Sequence, residues 1–393
     1  MKKRIYLDHA ATTYLDLRVK KVMDDFWIKN FGNPSSLYKE GRLAKKAIEE
    51  SRLKIARFIN AKPQEIIFTA GGTESDNLAI FGVANNFKKG HIITTKFEHH
   101  AVLNACKKLE ELGFEVSYLD VGEKGIVSLK DFKRALKKET VLVSIMYANN
   151  EIGTIQPIAE IGKIIKDFRN SKTSDFKTYP LFHVDACQAA GYLDLNVEKL
   201  GVDLMTVNGS KIYGPKGIGF LYIKSGVKIS PLLYGGEQER GLRPGTENVP
   251  AIVGLAKAFE LAQKERDKES KRLTSLRDYF IKRLTKEIPR VYLNGDSKDR
   301  LPNNINVSIL GVEGESVVLY LDEKGVSCST GSACTSESLE PSHVIMALGG
   351  PYEYGHGSLR FTLGKCNKKS DIDYVMKILP DIVKKLRAIS AVK

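Results

Sequence analysis

The chain has 393 residues, with 61 lysines and arginines against 47 acids, a net charge of +14, and 42% apolar residues. That length admits two domains of about 100 to 200 residues each, and the composition excludes a disordered chain. No run of about 18 apolar residues exists to span a membrane, no block of about five like charges marks a nucleic-acid stripe, and five cysteines are too few for a disulfide scaffold.

The opening Met1-Lys2-Lys3-Arg4-Ile5-Tyr6-Leu7-Asp8 lacks the apolar core of a secretory signal. Free thiols and a reducing compartment, the cytoplasm, are the expectation. The charge elsewhere is mixed, as across 264–272, which reads as the solvated face of a long helix. The +14 therefore reads as diffuse solubilising charge, with an anionic partner patch as the lesser alternative. Neither a direct nucleic-acid partner nor a membrane is expected.

From residue 60 the pattern alternates short β-branched runs with segments of helical period. A strand at 65–70 runs into Ala70-Gly71-Gly72-Thr73, and a helix is expected over 73–88. Glycines there permit a tight turn, and the free amides of a helix start can cradle a phosphate; a plain strand-to-helix turn uses the same residues. Strands at 91–95, 114–119 and 141–146 alternate with helical patterns at 99–112, 128–138 and 157–169. The strand at 181–185 ends in Asp185, at the sheet edge where open α/β sheets place ligands. A carboxylate there needs a cation, such as a protonated ring nitrogen; a capping role is the alternative.

The strand at 204–207 leads into Asn208-Gly209-Ser210-Lys211-Ile212-Tyr213-Gly214-Pro215-Lys216-Gly217. A lysine in a glycine-rich turn after a strand suits Schiff-base chemistry. Lys216 competes for that role, and a structural hairpin leading to the strand at 219–223 is the bland alternative. A long helix over 251–288, short strands such as 304–308 and a terminal helix near 370–389 suggest a smaller α+β domain. Within it, Ser327-Cys328-Ser329-Thr330-Gly331-Ser332-Ala333-Cys334-Thr335-Ser336 surrounds Cys334 with small residues that cannot bury it, as an exposed nucleophilic thiol requires. Cys106, on an apolar helical face, fits the inert buried alternative. No Cys-x-x-Cys or histidine pair has ligand spacing, so no metal site is expected.

With these motifs in this order, the sequence resembles the pyridoxal-phosphate cysteine desulfurases of the class V aminotransferase group, the NifS or IscS type. The resemblance runs nearly end to end. It rests on Tyr6-Leu-Asp-His-Ala-Ala-Thr-Thr13, Phe31-Gly-Asn-Pro-Ser35, Thr73-Glu-Ser-Asp-Asn77, Glu98-His99, Asn149-Asn-Glu-Ile-Gly153 and His183-Val-Asp185. It continues through Lys211-Ile-Tyr-Gly-Pro-Lys-Gly217, Arg243-Pro-Gly-Thr246, Gly331-Ser-Ala-Cys-Thr-Ser336, Leu339-Glu-Pro-Ser342 and Ser358-Leu-Arg360.

The resemblance implies the fold of type I pyridoxal-phosphate enzymes: a large α/β domain with a mostly parallel seven-stranded sheet (16–255), and a smaller α+β domain from 1–15 and 256–393. It implies pyridoxal 5'-phosphate as cofactor. Lys211 would form the Schiff base, Asp185 would pair with the ring nitrogen, Gln188 would bond the ring oxygen, and His99 would stack on the ring and shuttle protons. Asn150 would lie beside the ring. Gly72, Thr73, Asn208 and Ser210 would hold the phosphate, with Thr246 reaching in from the second subunit of a homodimer. Arg360, helped by Asn33, would clamp the α-carboxylate of L-cysteine. Cys334 would take the sulfur as a persulfide and pass it to an iron–sulfur scaffold or another acceptor protein, where it would transiently ligate a cluster. A selenocysteine lyase, a related lyase, and a catalytically silent sulfur-transfer scaffold are the competing expectations. Two positions depart from the family pattern: Ser210 stands where histidine is usual and Asn208 where serine is common. Loss of an imidazolium there predicts cofactor binding weaker by about 1 to 2 kcal/mol. The stretch 170–177 is longer than usual and is expected to be a surface loop.

Overall fold

The computed structural model describes residues 4–171, 179–330 and 341–389. Most of the 170–177 stretch, and all of 331–340 with Cys334, lie outside the described residues. In chain order the strands are β1 (Ile5–Tyr6), β2 (Ile66–Thr69), β3 (His91–Thr95), β4 (Glu115–Leu119), β5 (Thr140–Ser144), β6 (Leu181–Asp185), β7 (Leu204–Asn208), β8 (Gly219–Ile223), β9 (Val291–Leu293), β10 (Asn304–Ile309), β11 (Val326–Ser327) and β12 (Ser358–Thr362). The first seven helices are α1 (Leu17–Asp24), α2 (Lys39–Ile59), α3 (Gly72–Ala84), α4 (His100–Glu111), α5 (Leu129–Ala135), α6 (Ile158–Asn170) and α7 (Val197–Leu200). The rest are α8 (Val249–Glu287), α9 (Gly314–Glu323), α10 (His343–Ala347), α11 (Tyr352–His356) and α12 (Lys369–Ile389).

Seven strands form one sheet in the order β2-β8-β7-β6-β5-β3-β4, and only β8 runs against its neighbours. Successive strand residues supply opposite faces, as the pleat dictates. Phe182 and Val184 of β6 join a core with α2, α6 and the start of α8, while Leu181 joins a second core with α3 and α4. Helices thus cover both faces, which explains why these strands read as continuous apolar runs. Because β8 alone is reversed, the carboxyl ends of β2, β3, β5, β6 and β7 share one sheet edge.

A third core holds Leu7, the end of α8 from Leu273 to Leu284, β10, β12 and α12. β10 pairs antiparallel with β9 and β12, and β1 pairs parallel with β11. The 39-residue α8 therefore runs from one core into another: Val249 to Ala262 pack on the large sheet, Leu273 to Leu284 on the small one. Among the described residues no helix is long and apolar enough to cross a membrane.

Candidate active site

The strand ends converge on a cavity of ≈ 390 Å³, within the range of small-ligand sites. Lys211, Asp185, His99 and Gln188 line it, together with Gly72, Thr73, Asn150, Asn208 and Arg360. Ser210 lines an adjoining, more open cavity that shares Gly72, Thr73 and Asn208. Thr246 and Asn33 line neither and are exposed; the Asn33 carboxamide accepts the Ser35 N–H at 3.0 Å. Cys187 also lines the cavity, buried, and Cys106 is fully buried with its thiol pushed up to about 12 by burial.

Each residue is set by a strand end or a turn. Asp185 closes β6, and its carboxylate accepts the Cys187 N–H at 2.9 Å. Beneath it, His183 bridges Ser144 Oγ (2.9 Å) and Thr206 Oγ1 (3.0 Å) on the neighbouring strands and lies 3.6 Å from Asp76 Oδ1. Burial lowers the His183 pKa to about 4, so this imidazole is neutral. Burial, then the nearby Asp185, raises Asp76 well above the ordinary carboxylate range and Glu98 to about 8. Asp185 thus sits beside Asp76, Glu98 and His183, which stay uncharged near neutrality.

His99 caps α4, its Nδ1 accepting the Ala101 N–H at 3.1 Å. A ring nitrogen that accepts carries no proton, so the neutral tautomer bears its hydrogen on Nε2. Burial lowers this histidine, with Asp185 opposing and Lys211 reinforcing the shift. Lys211 follows β7 on a single tight turn and donates Nζ to the Ala11 carbonyl at 2.6 Å. Just beyond, Tyr213 adopts φ 62°, a conformation that costs an aromatic residue about 1 to 3 kcal/mol. Thr13 offsets it by accepting the Tyr213 N–H at 2.8 Å.

A phosphorylated, nitrogen-containing aromatic cofactor fits this donor set. At the mouth, Gly71 has φ 150°, closed to other residues, and a Cβ on Gly72 would come within 2.9 Å of Cys187 Sγ. The amides at the start of α3 are thereby open to an anion. Within the site, Asp76 Oδ1 and Asn150 Oδ1 are buried with no hydrogen-bond partner among the described residues, as expected of walls shaped for a polar guest.

On the other side stands Arg360, 2% exposed, on β12. Its guanidinium donates to Asp8 Oδ1 at 2.8 Å and to the Asn150 carbonyl at 3.0 Å. Both flanks of the Cys334 stretch return here. Ser329 pairs with Arg360 through two backbone bonds of 3.1 and 2.7 Å. Ser342 donates to the buried carboxylate of Glu151 at 2.5 Å, and His343 donates to the Glu98 carbonyl at 2.9 Å. Asp8, Asp76, Glu151 and His183 had no role in the expectations, although all four lie within motifs that carried the resemblance.

The chain matches the aminotransferase class-V family over residues 5–375. It is 55% identical to the cysteine desulfurase IscS of Dictyoglomus turgidum, across 100% of this chain and 98% of that protein. Among solved structures, a NifS-like protein superimposes with a TM-score of 0.89 at 37% identity, covering 98% of this chain and 100% of that one. SspA in complex with cysteine superimposes with a TM-score of 0.79 at 35% identity, covering 91% and 98%. The seven-stranded sheet, the cavity at its carboxyl edge and these full-length likenesses agree: the chain belongs to the cysteine desulfurases of the class-V aminotransferase family.

Proposed function

We propose that this chain removes sulfur from L-cysteine with bound pyridoxal 5'-phosphate, yielding L-alanine and a persulfide on Cys334. The observation that carries the reading is the convergence at one cavity of Lys211, Asp185 and Arg360, with the flanks of the Cys334 stretch bonded to Arg360, Glu151 and Glu98 beside it. When bound, the cofactor supplies an electron sink for the carbanion left by loss of the α-proton.

The residues divide the work. Asp185 would pair with the ring nitrogen of the bound cofactor, and Gln188 and Asn150 would lie at the ring edge. Gly72, Thr73, Asn208 and Ser210 would hold the phosphate. His99 would lie against the ring with its Nε2–H available to the reacting groups. Lys211 would anchor the cofactor, and its Nζ would be the base that takes the α-proton. Arg360 holds the α-carboxylate. The Cys334 thiolate attacks the substrate sulfur: the S–S bond forms, the C–S bond breaks, and its electron pair passes to the three-carbon fragment that leaves as alanine. A protein acceptor, an iron–sulfur scaffold or sulfur relay, then takes the persulfide.

We further propose a homodimer. Thr246 lines neither cavity of its own chain, and Trp27, Ile28, Phe31, Leu37 and Tyr38 are large apolar residues left exposed within a short stretch of sequence, as a partner surface would require. We assign residues 16–255 to a cofactor-binding domain and 1–15 with 256–393 to a small domain. A working thiol needs a reducing compartment, hence the cytoplasm. The test is sulfide and alanine release from L-cysteine by the cofactor-loaded enzyme with a reductant. Cys334→Ala should keep the yellow colour and lose turnover, and Lys211→Ala should lose the Schiff-base colour; full turnover by Cys334→Ala would defeat the persulfide step.

A further inference from the structure

The N-terminal segment 8–13 is strapped across the site. Leu7 is fixed between the two small-domain strands, its N–H bonded to Ser327 O at 2.8 Å and its carbonyl to the Thr362 N–H at 2.7 Å. The following residues then meet the site in order. Asp8 pairs with Arg360 at 2.8 Å, the Ala10 carbonyl accepts from Gln188 at 3.0 Å, and the Ala11 carbonyl accepts from Lys211 at 2.6 Å. The Tyr6 hydroxyl reaches the carbonyls of Asp8 and Thr12 at 2.9 Å each, which holds the bend that presents Asp8.

We infer that Asp8 is a positioning residue for the substrate carboxylate site: it sets the plane and azimuth of the Arg360 guanidinium. A planar fork recognises a carboxylate only when its plane is fixed, and a long arginine stem does not fix it. Here Asp8 holds one terminal nitrogen and the Asn150 carbonyl holds the other, from two segments far apart in sequence. Both acceptors hold the fork before substrate arrives, so the orientation is not left to the ligand. The Asp8 carboxylate is itself kept largely from solvent, its side chain 17% exposed. The inference rests on the reading that Arg360 binds the α-carboxylate.

The test uses the cofactor-loaded enzyme and two probes that bind without turnover, L-alanine and its decarboxylated counterpart ethylamine, each titrated by the change in the cofactor absorbance band. In Asp8→Ala the dissociation constant of L-alanine should rise about tenfold while that of ethylamine stays within about twofold. Asp8→Asn keeps an acceptor oxygen at the same place and should recover most of the loss. Asp8→Glu, which displaces the carboxylate by one methylene, should reproduce the L-alanine-selective loss and serves if Asp8→Ala does not fold. An unchanged L-alanine constant in Asp8→Ala, or equal weakening of both probes, would overturn the inference. Arg360→Gln separates the two readings. If it abolishes the preference for L-alanine and Asp8→Ala does not lower it, only the role of Asp8 falls. If Arg360→Gln leaves the preference intact, both fall.

Discussion

The cavity has two halves built in opposite ways. The half around Asp185 and Lys211 is made by strand ends that follow one another along the sheet, each delivering one residue to a shared edge. The half around Arg360 is assembled from the N-terminus, the turn after β5, and the last third of the chain: Arg360 and its partner Asp8 are 352 residues apart. The first half comes with the sheet and is stiffened by buried neutral groups such as His183. The second depends on polar bonds between segments far apart in sequence, joined by short β-bridges such as Asp8–Thr362 and Ser329–Arg360. On the proposed reading, local geometry sets the chemistry of the ring, and tertiary closure sets recognition of the substrate.

That contrast can be broken in several places. The largest effect belongs to the sheet-edge half: Lys211→Ala should slow alanine formation by about 10³-fold or more, measured in single turnovers. Gly72→Ala comes next, because its Cβ would meet Cys187 Sγ at 2.9 Å. It should weaken cofactor affinity by about 1 to 3 kcal/mol, and Cys187→Ala in the same chain should restore part of it. Ser210→His returns an imidazolium to the phosphate corner and should tighten cofactor binding by about 1 to 2 kcal/mol, read by equilibrium titration.

The smallest effect is on the pH dependence of stability. Glu98 ionises near its ordinary 4.5 in the unfolded chain and near 8 when folded. Its contribution is therefore full below pH 4.5 and is lost as pH rises through 8. Glu98→Gln should flatten that decline, changing Tm by on the order of a few degrees between pH 5 and 9. An unaltered slope would show that another group carries it.

The same contrast decides what was legible in the sequence. Strands at 91–95, 181–185 and 219–223 coincide with β3, β6 and β8, because each is a β-branched or aromatic run bounded by turn residues. Lys211 and Asp185 were legible for the same reason, each lying at or just after a strand end. Asp8 and the Ser342–Glu151 bond were not, since no local pattern links residues so far apart. The helix α2 was open to detection: Ala44, Ile48, Ile55 and Ile59 form a buried stripe at helical spacing, N-terminal to where the expected elements began. Asn33, which the resemblance places with Arg360, has its carboxamide bonded within its own loop, and Asp8 stands at that guanidinium.

The strap of residues 8–13 also fixes an order of events during synthesis. Asp8, Ala10 and Ala11 are made long before Ser327 and Thr362, yet Leu7 takes its place only against those two. More than 300 residues must therefore be added before Leu7 has its two strands to dock on. Cores formed from contiguous segments can close earlier, as domains generally do during synthesis. The large sheet would then be in place while its carboxyl edge still lacked the carbonyls that meet Lys211 and Gln188. A nascent chain stopped after α8 would own the sheet and Lys211 without Arg360, so on the proposed reading its means of holding the substrate carboxylate arrives with β12.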